Sequence, residues 1–157
     1  MHEIRRVRPS DVDIVVELVH ALAAHEKAPQ ECHLTPDQLH DALFRSSPSL
    51  FGHVATVDGM VVGYASWFLN FSTWRGTHGI YLEDLFVLPE HRGSGLGKAL
   101  LSTLAAECVK QGYTRLEWVV LDWLAPTIEF YKSIGAVPMD EWTIYRLTDE
   151  PLRQLGS

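Results

Sequence analysis

The chain has 157 residues, enough for one domain that buries roughly two-thirds of its unfolded surface without a disulfide or metal staple. Its 13 Lys and Arg against 20 Asp and Glu leave a net charge of −7, which repels polyanions, argues against nucleic acid as a partner and favours small cations. No run approaches the ~18 apolar residues of a membrane span, and Met1 to Arg8 is charged with no signal-peptide core, so a soluble cytoplasmic protein with no membrane partner is expected.

Glu3 to Arg8 fits an edge or near-edge strand. Pro9-Ser10-Asp11 supplies a turn and an N-cap, and Ile14, Val15, Leu18 and Leu22 recur at helical spacing, which predicts a helix from Asp11 to about Lys27, ended by Pro29. Thr35 caps a second helix with Pro36 in its first turn and Leu39, Ala42 and Leu43 on one face, running to about Arg45. Phe51 to Val57 and Met60 to Asn70 are apolar, β-branched runs joined by the hairpin signal Asp58-Gly59. After a loop, Thr77 to Leu88 reads as the third strand of a meander, closed by Pro89. A long helix follows from Gly95 to Gln111, with Leu96, Leu100, Leu104 and Cys108 on its apolar stripe and Gly112 at its end. Cys108, far in sequence from Cys32, is expected to be reduced and structural. Thr114 to Leu121 reads as a strand, Ala125 to Ile134 as a helix with Pro126 in its first turn, and Trp142 to Leu147 as a last strand. This order gives an α/β fold with a mixed, mostly antiparallel central sheet, a late parallel βαβ unit and helices on both faces, in a single domain over 1–157.

The turn between the strand ending at Leu88 and the long helix is the most informative segment. Gly93, Gly95 and Gly97 at alternate positions let backbone N–H groups converge on an anion, and the helix points the positive end of its dipole at the same place. In an acidic chain that anion must be held locally, with Arg92 and Lys98 foremost. A dinucleotide fingerprint fails because its third glycine falls on Lys98. A P-loop fails because its first glycine falls on Arg92 and its hydroxyl on Ala99. His25-Glu26-x-x-Pro29 lacks the second histidine of a zinc protease; His20, His25, Cys32, His33 and His40 have no zinc spacing, and no metal is expected. The absence of G-x-S-x-G argues against a serine hydrolase.

Arg92-x-x-Gly95-x-Gly97, preceded by Leu85-Phe86-Val87-Leu88-Pro89 and followed by a helix, resembles the acetyl-CoA pyrophosphate loop of the GNAT superfamily of N-acetyltransferases. The resemblance covers nearly the whole chain. Ser72-Thr73-Trp74-x-Gly76 with Ile80-Tyr81-Leu82-Glu83-Asp84, and Val120-Leu121-Asp122-Trp123 with Phe130-Tyr131-Lys132 and Gly135-Ala136, are similar to the diamine acetyltransferase branch, most of all to its thialysine Nε-acetyltransferase members. The resemblance implies acetyl-CoA as co-substrate, held by the backbone of Leu85, Phe86 and Val87, by Arg92, Gly93, Ser94, Gly95, Leu96, Gly97 and Lys98, and by Leu124, Ala125, Pro126 and Thr127. It implies direct acetyl transfer to a primary amine of a small cation, such as a thialysine- or lysine-like amino acid or a diamine. It also implies a homodimer, for which Trp67 to Trp74 is one possible interface and a core segment is the other reading of the same residues.

An alkylammonium has a pKa near ~10.4, so exposing its lone pair at neutral pH costs about 4 to 5 kcal/mol. A site for acetyl transfer therefore needs a base, direct or through water, and a proton donor for the leaving thiolate. By the resemblance Tyr131 is the donor and Glu83 the water-assisted base that also holds the amine, with Asp84, His25 and Glu26 completing the substrate site. Because Glu83 and Asp84 are adjacent on a strand, they are expected on opposite faces. Two departures from the family pattern bear on ligand choice. Leu124 stands where the family commonly has an Asn that bonds the coenzyme. The loop Phe71 to Trp74 lacks the acid found in spermidine/spermine acetyltransferases, which makes those polyamines the alternative substrate. A protein acetyltransferase and a non-catalytic acyl-CoA sensor are the remaining alternatives.

Overall fold

The computed structural model describes residues 1–157, in two compact units, Met1–Val119 and Val120–Ser157. In the first, the apolar runs form an antiparallel meander of β2 (Phe51–Val57), β3 (Met60–Ser72) and β4 (Thr77–Val87). β1 (His2–Arg6) adds antiparallel to β2, and β5 (Leu116–Glu117) adds parallel to β4, giving a five-stranded sheet in the order β1-β2-β3-β4-β5. Asp58 and Gly59 both take positive φ, 50° and 84°, the conformation that a two-residue hairpin turn requires to match strand twist.

Helices cover both faces of this sheet. On one face α1 (Val12–His25) and α2 (Pro36–Phe44) bury Val12, Val15, Val16, Leu18, Leu39 and Leu43 against Val54, Tyr64 and Phe86. Thr35 caps α2 as its sequence predicts: its hydroxyl accepts from Gln38 N, and the Gln38 side chain accepts from Thr35 N. Asp11 differs from its expected role. Its carboxylate makes no cap to α1; it lies buried in a two-pronged pair with Arg5 at 2.8 and 3.0 Å and accepts from Arg8 N. α1 also stops short of Pro29. Lys27 turns left-handed at φ 63°, and Ala28 N returns to Ala23 O, the wrapped closure of a helix C-terminus.

α3 (Leu96–Gln111) packs on the opposite face, burying Leu96, Leu100, Leu101, Leu104 and Cys108. Gly112 ends it at φ 77°, as expected. Both cysteines are free thiols, Cys108 buried and Cys32 half-buried.

Two strand expectations are corrected. The run Thr114 to Leu121 keeps a ladder only at Leu116–Glu117, which pair with Ile80 and Tyr81; the pairing stops just before an irregularity in β4 described below. Trp142 to Leu147 forms no strand, and Trp142, Ile144 and Tyr145 are exposed. Its composition suits a pleated surface, but a strand exists only where a neighbour supplies the ladder. The second unit instead holds α4 (Ala125–Ser133) and α5 (Asp149–Leu155). α5 has no counterpart among the expected elements, although Thr148 precedes an acidic first turn, Asp149-Glu150, the usual mark of a helix start.

Candidate active site

β3 and β4 pair Ser66 with Asp84 and then Trp67 with Leu82, so Glu83 is the extra residue of a β-bulge. A bulge interrupts the two-residue alternation of a strand and re-aims its side chains. The expected opposition of Glu83 and Asp84 across the sheet therefore does not apply. On either side of the bulge, Tyr81, Asp84 and Phe86 register with Phe68, Ser66 and Tyr64; Tyr64 and Phe86 pack in the core beneath α1 and α2, and strand alternation puts Ser66 on the same face as Tyr64. Glu83 is exposed and Asp84 is half-buried.

Ser66 Oγ donates to Asp84 Oδ2 at 2.8 Å. Burial pushes the Asp84 carboxyl up to about 6; the Ser66 hydrogen bond works against that rise, and the charges of Glu83 and Glu26 add to it. Two register positions along, Tyr64 is 1% exposed, and its hydroxyl is a buried side-chain polar atom with no hydrogen-bond partner. Burial drives this phenol well above its ordinary pKa, and the negative potential of Asp84, Cys32, Glu26 and Glu83 drives it further. The structure thus gathers Glu26, Glu83 and Asp84 around one pole of the sheet. Sequence reasoning missed Ser66 and Tyr64. Their signal was a hydroxyl residue two positions from a tyrosine within an apolar strand, on one face by strand periodicity.

Phe86 links this acidic region to the glycine turn. The His25 ring packs on it at 6.2 Å, and the Arg92 guanidinium lies 5.1 Å from the ring centroid. Arg92 Nε also donates to Val87 O at 2.8 Å, so that carbonyl is already engaged. Glu26 sits half-buried at the C-cap of α1. Beyond Tyr81, β4 has lost its β5 ladder, so Leu85, Phe86 and Val87 are paired on the β3 side alone. A separate small cavity at Asn70, Ser72, His78, Arg115 and Glu117 lies at the hairpin end of β4, away from the glycine turn.

The turn itself has the expected form. Gly93 and Gly95 take φ 81° and 86°, a region that side-chain-bearing residues rarely adopt. Gly95 is the N-cap of α3, and no side chain caps that end, so its first N–H groups face outward. Gly97 is different, having an ordinary φ within α3 and nothing within 4 Å of where a Cβ would stand. Its lack of a side chain leaves open space above the helix end. Ser94 is turned back, Oγ donating to His91 O at 2.6 Å. Leu96 is buried, so of that residue only the main chain can face a ligand. Uncapped N–H groups, open space at Gly97 and the exposed cations Arg92 and Lys98 fit the diphosphate of a coenzyme.

In the second unit, Leu124 occupies the N-cap of α4 and makes no side-chain cap, with Pro126 in the first turn. That end also presents N–H groups, including that of Thr127, with no side chain capping them. Tyr131 is half-buried, its ring 5.7 Å from that of Phe130, and its carbonyl accepts from Ala136 N at 3.1 Å.

Comparison with known proteins agrees with this geometry. Residues 16–136 match the model of the acetyltransferase (GNAT) family. A thialysine N-epsilon-acetyltransferase of Bos taurus is 31% identical over 98% of this chain and 96% of its own length. An L-ornithine N5-acetyltransferase of Arabidopsis thaliana is 38% identical over 62% of this chain and 43% of its own length. Among solved structures, an integron cassette protein from the mobile metagenome of V. cholerae superposes with a TM-score of 0.79 at 27% identity, over 99% of this chain and 97% of its own. On the family match across most of its length, and on a relative aligned nearly end to end, the chain belongs to the acetyltransferase (GNAT) family.

Proposed function

We propose that this amine N-acetyltransferase, acting as a single domain over residues 1–157, transfers acetyl directly to the terminal primary amine of a small cationic amino acid of lysine or thialysine type, or of a short diamine. The observation that carries the reading is the bulge, which sets Glu83 and Asp84 beside Glu26 on the strand that leads into the glycine turn. A cluster of carboxylates attracts an ammonium group, and the turn suits a phosphorylated carrier. The thialysine and ornithine acetyltransferases among the relatives support the same substrate class.

Acetyl-CoA, when bound, supplies an acetyl thioester. The backbone of Leu85, Phe86 and Val87, the turn Arg92–Lys98 and the start of α4 at Leu124, Ala125, Pro126 and Thr127 are the residues that would hold it. The open space at Gly97 and the uncapped start of α3 fit that group. His25 and Glu26 flank the amine, and Glu83, the exposed acid of the pair, meets the ammonium and draws its proton through water. Tyr131 is the acid that protonates the leaving thiolate. No helix of the chain is long and apolar enough to cross a membrane, and the reading places the protein in the cytoplasm. As a homodimer it would use Phe71 and Trp74, which are exposed, whereas Trp67 of the same segment is core.

The substrate assignment is tested by competition. With thialysine and spermidine together at equal concentration, the acetylated products measured by mass spectrometry should favour thialysine at least ~10-fold, a difference of about 1.4 kcal/mol in transition-state binding. A preference for spermidine would transfer the assignment to the polyamines.

A further inference from the structure

We propose that Asp84 is the inner proton acceptor of the bulge pair, that Ser66 is the positioning residue for its charged form, and that Tyr64 is the positioning residue for its protonated form. The inference rests on the amine acetyltransferase reading above and adds to it a second acid and two residues outside the expected site.

The argument starts from the two faces of one carboxyl group. As a carboxylate, Asp84 is only an acceptor and needs donors; Ser66 Oγ supplies one to Oδ2 at 2.8 Å. As a carboxylic acid it gains an O–H that needs an acceptor. The charged groups near it are Glu83 on its own strand and Glu26 beyond the end of α1, and both acids repel its negative form. The hydroxyl of Tyr64 is the neutral group. It lies on the same face of β3, two residues from Ser66, in the field of Asp84, fully buried and unpartnered. A buried hydroxyl left unsatisfied costs about 1–3 kcal/mol, a cost that falls once a neighbouring carboxylic acid donates to it. His25 and Arg92 pack on the ring of Phe86 and complete the surroundings.

The step balances as a proton transfer. Glu83 faces solvent and meets the ammonium, whereas Asp84 is the more enclosed acid of the pair and is held by Ser66. The proton passes by way of Glu83 and water to Asp84. The N–H bond of the ammonium breaks, its electron pair becomes the nucleophile, and the Asp84 O–H forms. Asp84 then releases the proton to bulk water through the same route when product leaves, and no oxidant or further reactant is needed.

The test is the acid limb of the pH profile of kcat/KM, read by thiol release. In the wild type, activity should fall as pH drops through about 6. Ser66→Ala removes the donor that favours the carboxylate and should move the limb up by about 0.5–1 unit, whereas Tyr64→Phe removes the acceptor for the acid and should move it down by a similar amount. Glu83→Gln should keep a limb, and Asp84→Asn should abolish it. Shifts of the same sign in both variants, or a limb that survives in Asp84→Asn, overturn the proposal. Wild-type protein without thiol release at any pH would sink the transferase reading instead. The ¹³C-carboxyl titration of Asp84 then decides the inner-acceptor claim by itself. A midpoint near 6 that moves oppositely in the two variants supports it, and a midpoint near 4 overturns it.

Discussion

Enclosing a carboxylate beside two others opposes folding, and Asp84 is such a group. Its pKa rises from the ordinary carboxylate range to about 6 in the folded chain, with burial as the main cause. Between those values the folded state binds more protons than the unfolded one, so the Asp84 contribution to stability falls as pH rises from about 4 to 6 and stays lost above. Asp84→Asn keeps an acceptor for Ser66 and removes the charge. It should raise stability at pH 7 by about 1–3 kcal/mol, read as a higher urea midpoint at unchanged slope, while turnover collapses; a less stable variant would contradict the electrostatic account. His53 slopes the other way. Buried and accepting at Nδ1 from Trp67 Nε1 at 3.2 Å, it is lowered to about 4 by burial and then by Arg6. Its unfolded form binds more protons between about 4 and 6.5, so its contribution rises with pH over that window. The two oppose one another in the wild type, and Asp84→Asn should expose the rise. Tyr131 belongs to this scale as well. Tyr131→Phe should lose ~10²-fold or more in kcat with coenzyme affinity kept, whereas equal losses in both would make the residue structural.

The bulge at Glu83 and the glycine turn are the two elements on which the site depends, and both lie on the path from β4 into α3. The β4–β5 ladder covers only Ile80 with Leu116 and Tyr81 with Glu117, so β4 leaves its parallel neighbour where the bulge begins. Gly97 gives an element-scale test. Its φ is ordinary and nothing crowds a Cβ there, so Gly97→Ala should stabilise α3 by up to about 1 kcal/mol by helix propensity. The same methyl would project into the space assigned to the diphosphate and should weaken acetyl-CoA binding in a titration. Unchanged affinity would place the coenzyme elsewhere. The hairpin at Asp58-Gly59, the cap at Thr35 and the stop at Gly112 were legible because each is local chemistry read from one or two residues. The bulge was not, because it is a relation between two strands: Glu83 and Asp84 look like any pair of neighbours until Ser66 and Trp67 set the register. For the same reason Trp142 to Leu147 read as a strand from composition alone, and Ser66 and Tyr64 passed as ordinary strand residues although they share a face with Asp84.

Across the whole molecule, a net charge of −7 favours small cations over polyanions, so the proposed coenzyme would be held by local geometry. The glycine turn and the Arg5–Asp11 clamp both show cations spent locally within that field. Arg5 ties the edge strand β1 to the turn before α1, with both side chains largely buried, a pair whose loss of one partner leaves an uncompensated charge. The acidic region by contrast gathers Glu26, Glu83 and Asp84, whose mutual repulsion raises the Asp84 carboxyl, and the proposed cationic substrate would offset that repulsion. The central claim is acetyl transfer to such an amine, and its direct measurement is product analysis after incubating the purified chain with acetyl-CoA and a panel of lysine-like amino acids, short diamines and polyamines. The account predicts one equivalent of free thiol for each acetylated amine, fastest with the lysine-like members. Thiol release no faster than the enzyme-free control with every amine would contradict it.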